Sequence, residues 1–224
     1  MAAKHDELMA LYQAMLAHFG PQRWWPGDGP LEIMIGAVLT QNTNWANVER
    51  AIANLRRSDL IDVERLATCS LPRLAEIIRP AGYFRVKANR LHNLMSHVWR
   101  EYGGDLEIFF SRSVDSLREE LLSINGIGPE TADDIVLYAA GKPTFVVDAY
   151  TYRVMVRHKL IAEDDDYHAI KDFFESNLPP DVPLYNEYHA LLVATGKNYC
   201  RKIALCDRCP LNRFDHDVRL LNRE

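Results

Sequence analysis

The sequence predicts an all-α protein, on three observations. Apolar residues recur at helical spacing along most of the chain. Helix-starting and helix-stopping residues bracket those stretches. Thr144–Val147 alone reads as strand-like, and it is too short to build a sheet. Composition agrees: 48% hydrophobic and 25% charged residues in 224 is an ordinary globular balance, which excludes long disorder.

In chain order, Glu7–Phe19 carries Leu8, Leu11, Tyr12, Met15, Leu16 and Phe19 on one stripe. Leu31–Leu39 is apolar nearly all round and predicts a buried helix. Trp45–Leu55 and Leu71–Ile78 are shorter amphipathic segments, with Ser70 at the N-cap place of the second. Val86–Tyr102 is a longer helix stopped by Gly103 and Gly104. Val114–Ser123 follows the cap residue Ser113. Pro129–Ala140 has proline in its first turn and stops at Gly141. Asp148 caps Ala149–His158; Tyr167–Leu178 and Asn186–Thr195 complete the set. The acidic run Glu163–Asp166 reads as a solvated loop, and no internal repeat or low-complexity tract appears.

The longest apolar runs, such as Ile33–Leu39, fall far short of the roughly 20 residues a membrane helix needs. The start, MAAKHDELMALYQAML, holds acids and no apolar core, unlike a secretory signal, so a cytoplasmic location is expected. A net charge of −5 argues against coating nucleic acid by bulk charge and leaves room for a local basic face. Three of the four cysteines, Cys200, Cys206 and Cys209, lie close together, which suggests a metal or cluster site in a reducing compartment. Cys69 stands apart and reads as a small buried apolar residue.

Leu121–Ala140 reads LLSINGIGPETADDIVLYAA. A helix ends, Asn125-Gly126-Ile127-Gly128 turns the chain, and proline opens a new helix. Gly126 and Gly128 would allow positive φ and leave backbone amides bare beside a helix N-terminus. That arrangement suits the grip of a backbone phosphate without reading sequence; a plain turn between helices would look the same.

The longer run LLSINGIGPETADDIVLYAAGKPTFVVDAYTYRVMVRHKL resembles the endonuclease III branch of the helix-hairpin-helix DNA glycosylase superfamily. The resemblance implies two helical lobes with a central groove, one lobe over 30–133 ending in the hairpin, the other joining 1–29 to 134–224. It implies action on damaged double-stranded DNA; the sequence itself carries no oligomeric signal, and a monomer is expected. Asp148 stands where that family keeps its catalytic aspartate. A carboxylate there stabilises positive charge developing on the sugar and orients or deprotonates water. Glu130 stands where the family's bifunctional members carry a lysine nucleophile. A carboxylate cannot form an imine, so hydrolysis without efficient β-lyase activity is expected.

Trp24 and Trp25 in W-W-P, then L-T-Q-N-T-N-W ending at Trp45, resemble the 3-methyladenine DNA glycosylase III subgroup. There the matching aromatics sandwich a damaged base, so Trp24, Trp25 and Trp45 are base-binding candidates, with Glu130 near the base. Indole faces attract a cationic methylated purine by ~0.5–2 kcal/mol. Gln41 matches the residue that fills the hole left by the everted nucleotide. Ala81–Lys87 matches the loop that wedges the opposite strand, through Tyr83 or Phe84, so Gln41, Tyr83, Lys87, Gly126 and Gly128 are DNA-binding candidates. The expected activity is monofunctional release of alkylated purines such as 3-methyladenine. An endonuclease III-like glycosylase with lyase activity on oxidised pyrimidines, and a non-catalytic DNA-binding module, are the alternatives.

The cysteine spacing resembles the start of that family's [4Fe–4S] motif, whose first gap is usually one residue longer and whose fourth cysteine follows after five residues. Here the fourth place holds Asp215, with His216 next. Three outcomes are open: a cluster completed by Asp215, His216 or an outside ligand; a lost cluster; or zinc on three thiolates and an imidazole. Cys200, Cys206, Cys209 and His216 are the candidate ligands, and the resemblance also leaves room for a monovalent cation at the hairpin. Arg201, Lys202, Arg208 and Arg213 on the same segment could meet phosphates.

Overall fold

The computed structural model describes residues 2–221, and among them every regular element is helical. The chain divides into two compact units. One is Trp25–Lys142; the other joins the chain up to Trp24 with the chain from Pro143 on. The boundaries expected from sequence, 29/30 and 133/134, therefore move. The second moves because the helix opened by Pro129 runs unbroken past residue 134, and Ile135 and Val136 sit in the first unit's core.

The Trp25–Lys142 unit contains α2 (Pro30–Leu39), α3 (Trp45–Arg57), α4 (Val63–Thr68) and α5 (Leu71–Ile77). A single 3₁₀ turn, Arg79–Ala81, leads to α6 (Phe84–Tyr102), followed by α7 (Leu106–Phe110), α8 (Val114–Ser123) and α9 (Pro129–Asp134). From Ile135 to Ala139 the helix widens to π geometry, a local distortion often found beside functional sites. Met34, Leu39, Leu55, Leu91, Met95, Leu121 and Val136 are among its fully buried core. Burying such a side chain contributes about 1.5–3 kcal/mol each, so this unit rests on one apolar core.

The other unit packs α1 (Ala2–Phe19), α10 (Ala149–Arg157), α11 (Tyr167–Asn177) and α12 (Val182–Asn198) around Phe145, Phe174 and Tyr188. Phe145 stacks on Phe174 with ring centroids 3.8 Å apart. The buried Tyr188 hydroxyl donates to Leu8 O at 2.8 Å, tying α12 to α1.

Helix caps explain several boundaries. Ser113 and Asp148 accept from Ser116 N and Thr151 N, as N-caps should. Ser70 holds the N-cap place of α5 but makes no side-chain cap bond. Helices α4 and α7, which the sequence pattern does not predict, are capped by Asp62 and Asp105. Helix α12 starts at Val182 rather than Asn186, because Asp181 caps it and Pro183 fits its first turn. Thr144–Val147 is buried yet forms no strand, since among the described residues it has no strand partner.

Candidate active site

The hairpin lies between α8 and α9. Ile127 N donates to Ile124 O at 3.0 Å, closing a turn in which Gly126 takes φ +94°. Gly128 has φ −94°, so the expected need for positive φ holds at Gly126 alone. No heavy atom lies within 4 Å of where a Gly128 Cβ would sit. The fold therefore does not itself require glycine there. The turn is braced from two sides. Asn93 of α6 donates to Asn125 O at 3.0 Å. The Arg118 guanidinium of α8 holds the buried Asp133 of α9 through two bonds of 2.7 and 3.1 Å.

Gln41, just past the end of α2, donates to Glu130 Oε1 at 3.1 Å. The residue standing at the family's lysine position therefore anchors the expected gap-filling side chain. Trp25 meets Trp45 edge to face at 5.4 Å and lies 5.1 Å from Tyr138, so three rings form one aromatic cluster. Gly36 makes this possible: a Cβ there would come within 3.0 Å of Trp25 Nε1. Tyr138 escapes sequence reasoning; it lies in the π-helical segment, where a helix-spaced pattern reads it as core. Trp24 falls in the other unit, edge-on to His189 at 6.5 Å, with Lys197 Nζ 5.7 Å from its ring centroid.

Tyr83 is 72% exposed with φ +44°, a conformation that strains any side chain but glycine. Phe84 instead packs against the core, with the guanidiniums of Arg79 and Arg85 each 5.9 Å from its ring centroid. The wedge candidate is therefore Tyr83. Lys87, expected at DNA, is turned inward instead. It is buried, and its Nζ donates to Leu39 O at 2.9 Å and Ala81 O at 2.8 Å, two carbonyls of its own unit. Burial, with a smaller push from Arg90, lowers its pKa to about 8.

Asp148 caps α10. One carboxylate oxygen accepts from Thr151 N at 2.7 Å, and the other lies 3.7 Å from His189 Nε2 of α12. Burial raises its pKa, but the His189 interactions and the Thr151 bonds outweigh that and hold it below the usual carboxylate range. The group is thus ionised at neutral pH. His189 is the neighbour that sequence reasoning missed, because a lone histidine in an apolar helix carries no local signal.

Cys200, Cys206, Cys209 and His216 line one pocket together with Arg157 and His158. The buried Arg157 guanidinium lies 3.4 Å from Cys200 Sγ and donates to Arg201 O at 2.6 Å. Asp215 turns away, its exposed carboxylate paired with Lys159 at 3.1 Å. Among the described residues no three His, Cys, Asp or Glu side chains are set around a single metal ion. Arg201, Lys202, Arg208 and Arg213 are exposed.

Residues 35–180 match the family described as HhH-GPD superfamily base excision DNA repair protein. A putative DNA repair glycosylase of Methanocaldococcus jannaschii is 46% identical over 212 residues, 94% of this chain and 96% of that protein. Endonuclease III of Thermotoga maritima is 29% identical over 184 residues, 80% and 79% of the two. Among solved structures, the H.pylori 3-methyladenine DNA glycosylase (MagIII) bound to 1,N6-ethenoadenine matches with a TM-score of 0.72 at 30% identity, over 87% of this chain and 97% of that one. A non-covalent endonuclease III–DNA complex reaches a TM-score of 0.82 at 22% identity, over 98% and 99%, which speaks to fold alone. The chain belongs to the HhH-GPD superfamily of base excision DNA repair proteins and is an all-α helix-hairpin-helix DNA glycosylase.

Proposed function

We propose that this glycosylase hydrolyses the N-glycosidic bond of alkylated purines, 3-methyladenine first among them, in double-stranded DNA and without cutting the strand. The observation that carries this is the Asp148 carboxylate, fixed by Thr151 N and facing His189, in a chain whose hairpin offers a carboxylate, Glu130, where an amine nucleophile would be needed.

Loss of a purine from deoxyribose leaves positive charge on the sugar. A fixed carboxylate stabilises that charge more in the transition state than in the ground state, and it orients the attacking water. Alkylation at N3 or N7 already weakens the bond, so modest catalysis suffices. Trp25 and Trp45, with Tyr138 beside them, supply electron-rich faces for the cationic ring, and Trp24 is assigned the same task. The relation to an enzyme named for 3-methyladenine supports this substrate class. Gln41 fills the gap left by the everted nucleotide, Tyr83 wedges the opposite strand, and the hairpin amides at Gly126 and Gly128 hold one phosphate.

The resemblance of the cysteine spacing to the endonuclease III branch implies a four-cysteine [4Fe–4S] site. Cys200, Cys206, Cys209 and His216 line one pocket, yet among the described residues no three of them are set around a single ion, so the side chains as placed do not fit such a group.

The test is chromatography of bases released from a panel of alkylated and oxidised DNA. Methylated purines should be released and the backbone left intact. Asp148→Asn should lose release by 10²-fold or more, the range general acid–base catalysis supplies, while DNA binding is kept. Borohydride trapping of the protein on DNA, or a fully active Asp148→Asn, defeats the reading.

A further inference from the structure

Lys87 is a buried cation that neither the hydrolysis nor a phosphate contact uses. It sits in the first turn of α6 at 2% exposure. A buried ammonium persists only where its donors are satisfied. Here they meet two backbone carbonyls, Leu39 O at 2.9 Å and Ala81 O at 2.8 Å. Leu39 ends α2, whose last carbonyls have no partner within the helix and carry partial negative charge. Ala81 ends the 3₁₀ turn.

Each carbonyl stands at the root of a loop. Two residues past Leu39 is Gln41, whose side chain is tied to Glu130. Two residues past Ala81 is the exposed Tyr83, reached through consecutive positive-φ residues, Gly82 at +68° and Tyr83 at +44°. One side chain therefore spans the roots of both loops that the proposed function sends into DNA. If one loop root shifts, the ammonium shifts with it or loses a bond.

We propose that Lys87 is a positioning residue that locks the Gln41 and Tyr83 loops at one spacing, so that gap filling and wedging act as a single step. The proposal rests on the roles given above to Gln41 and Tyr83, and it assigns Lys87 no contact with DNA.

The experiment is a pair of double-mutant cycles. Gln41→Ala, Tyr83→Ala and their combination are made in the wild-type and in the Lys87→Met backgrounds. Single-turnover base release and 2-aminopurine fluorescence opposite the lesion are read for each, and Tm is measured throughout. In the wild type the double variant should lose about as much as the worse single variant, because the two losses are coupled by about tenfold. With Lys87→Met the two losses should multiply. Lys87→Arg, which keeps two-point donation, should restore the coupling. If Lys87→Met does not fold, Lys87→Gln takes its place. Losses that already multiply in the wild type overturn the lock. So does coupling that survives loss of the lysine while only Tm falls, since a merely structural lysine would give that pattern. If neither Gln41→Ala nor Tyr83→Ala changes release or fluorescence, the loop roles themselves fail and the lock with them, whereas the Asp148→Asn result stands independently.

Discussion

Gly36 occupies a position in α2 where alanine would gain roughly 1 kcal/mol of helix propensity. Its missing Cβ is nevertheless what lets Trp25 lie across the helix, with Trp25 Nε1 at 3.0 Å and Trp45 Cη2 at 3.4 Å from the place a methyl would take. Gly36→Ala should therefore keep or slightly raise Tm while cutting base release about tenfold, as expected when a reacting group is displaced by less than about 1 Å. Wild-type release from this variant would remove Trp25 from the base slot. Lys87 makes the complementary point. By residue type and position it reads as a DNA contact, yet its ammonium is spent on two carbonyls of its own unit. Residue type tells what a side chain can do; its neighbours, here 48 and 6 positions away in the chain, decide what it does.

At the scale of elements, the hairpin separates two glycines that look equivalent in sequence. Gly126 is required by backbone conformation, with φ +94° and with Arg90 Cγ only 2.5 Å from the place a Cβ would take. Gly126→Ala should destabilise the protein by about 1–3 kcal/mol in urea unfolding. Gly128 has ordinary φ and open space around it. Gly128→Ala should leave unfolding unchanged and weaken DNA affinity, because a methyl then stands where a phosphate must approach bare amides. Equal unfolding losses in the two variants would contradict this division. Long elements such as α6 and α8 are legible in the sequence because an apolar stripe repeats over several turns. The short helices α4 and α7 offer too few turns for a period to show, and their only local signal is the capping aspartate ahead of each, Asp62 and Asp105.

For the whole molecule, acid sensitivity follows from Asp148. Its folded pKa lies below the unfolded value of about 3.9, so its contribution to stability is fully present above that value. It is lost as pH falls through the folded pKa. Acid unfolding of wild type and Asp148→Asn should therefore converge at low pH, draw apart as pH rises through the folded pKa, and keep a constant offset above about pH 4. Stability curves that stay parallel below about pH 4 would show that the carboxylate is not held by His189 and Thr151.

By itself the sequence determined the all-α class, the position of the hairpin, Asp148 as a helix cap and the cluster of cysteines. These are local properties, written in periodicity, turn residues and spacing within a few residues of each other. Only the tertiary structure decided that the compact units divide at Trp24/Trp25 and Lys142/Pro143, that Trp25 gathers Trp45 and Tyr138, that His189 faces Asp148, and that Asp215 pairs with Lys159. Each of those pairings joins residues far apart in the chain, and burial against a particular partner leaves no mark on the pattern of either segment alone.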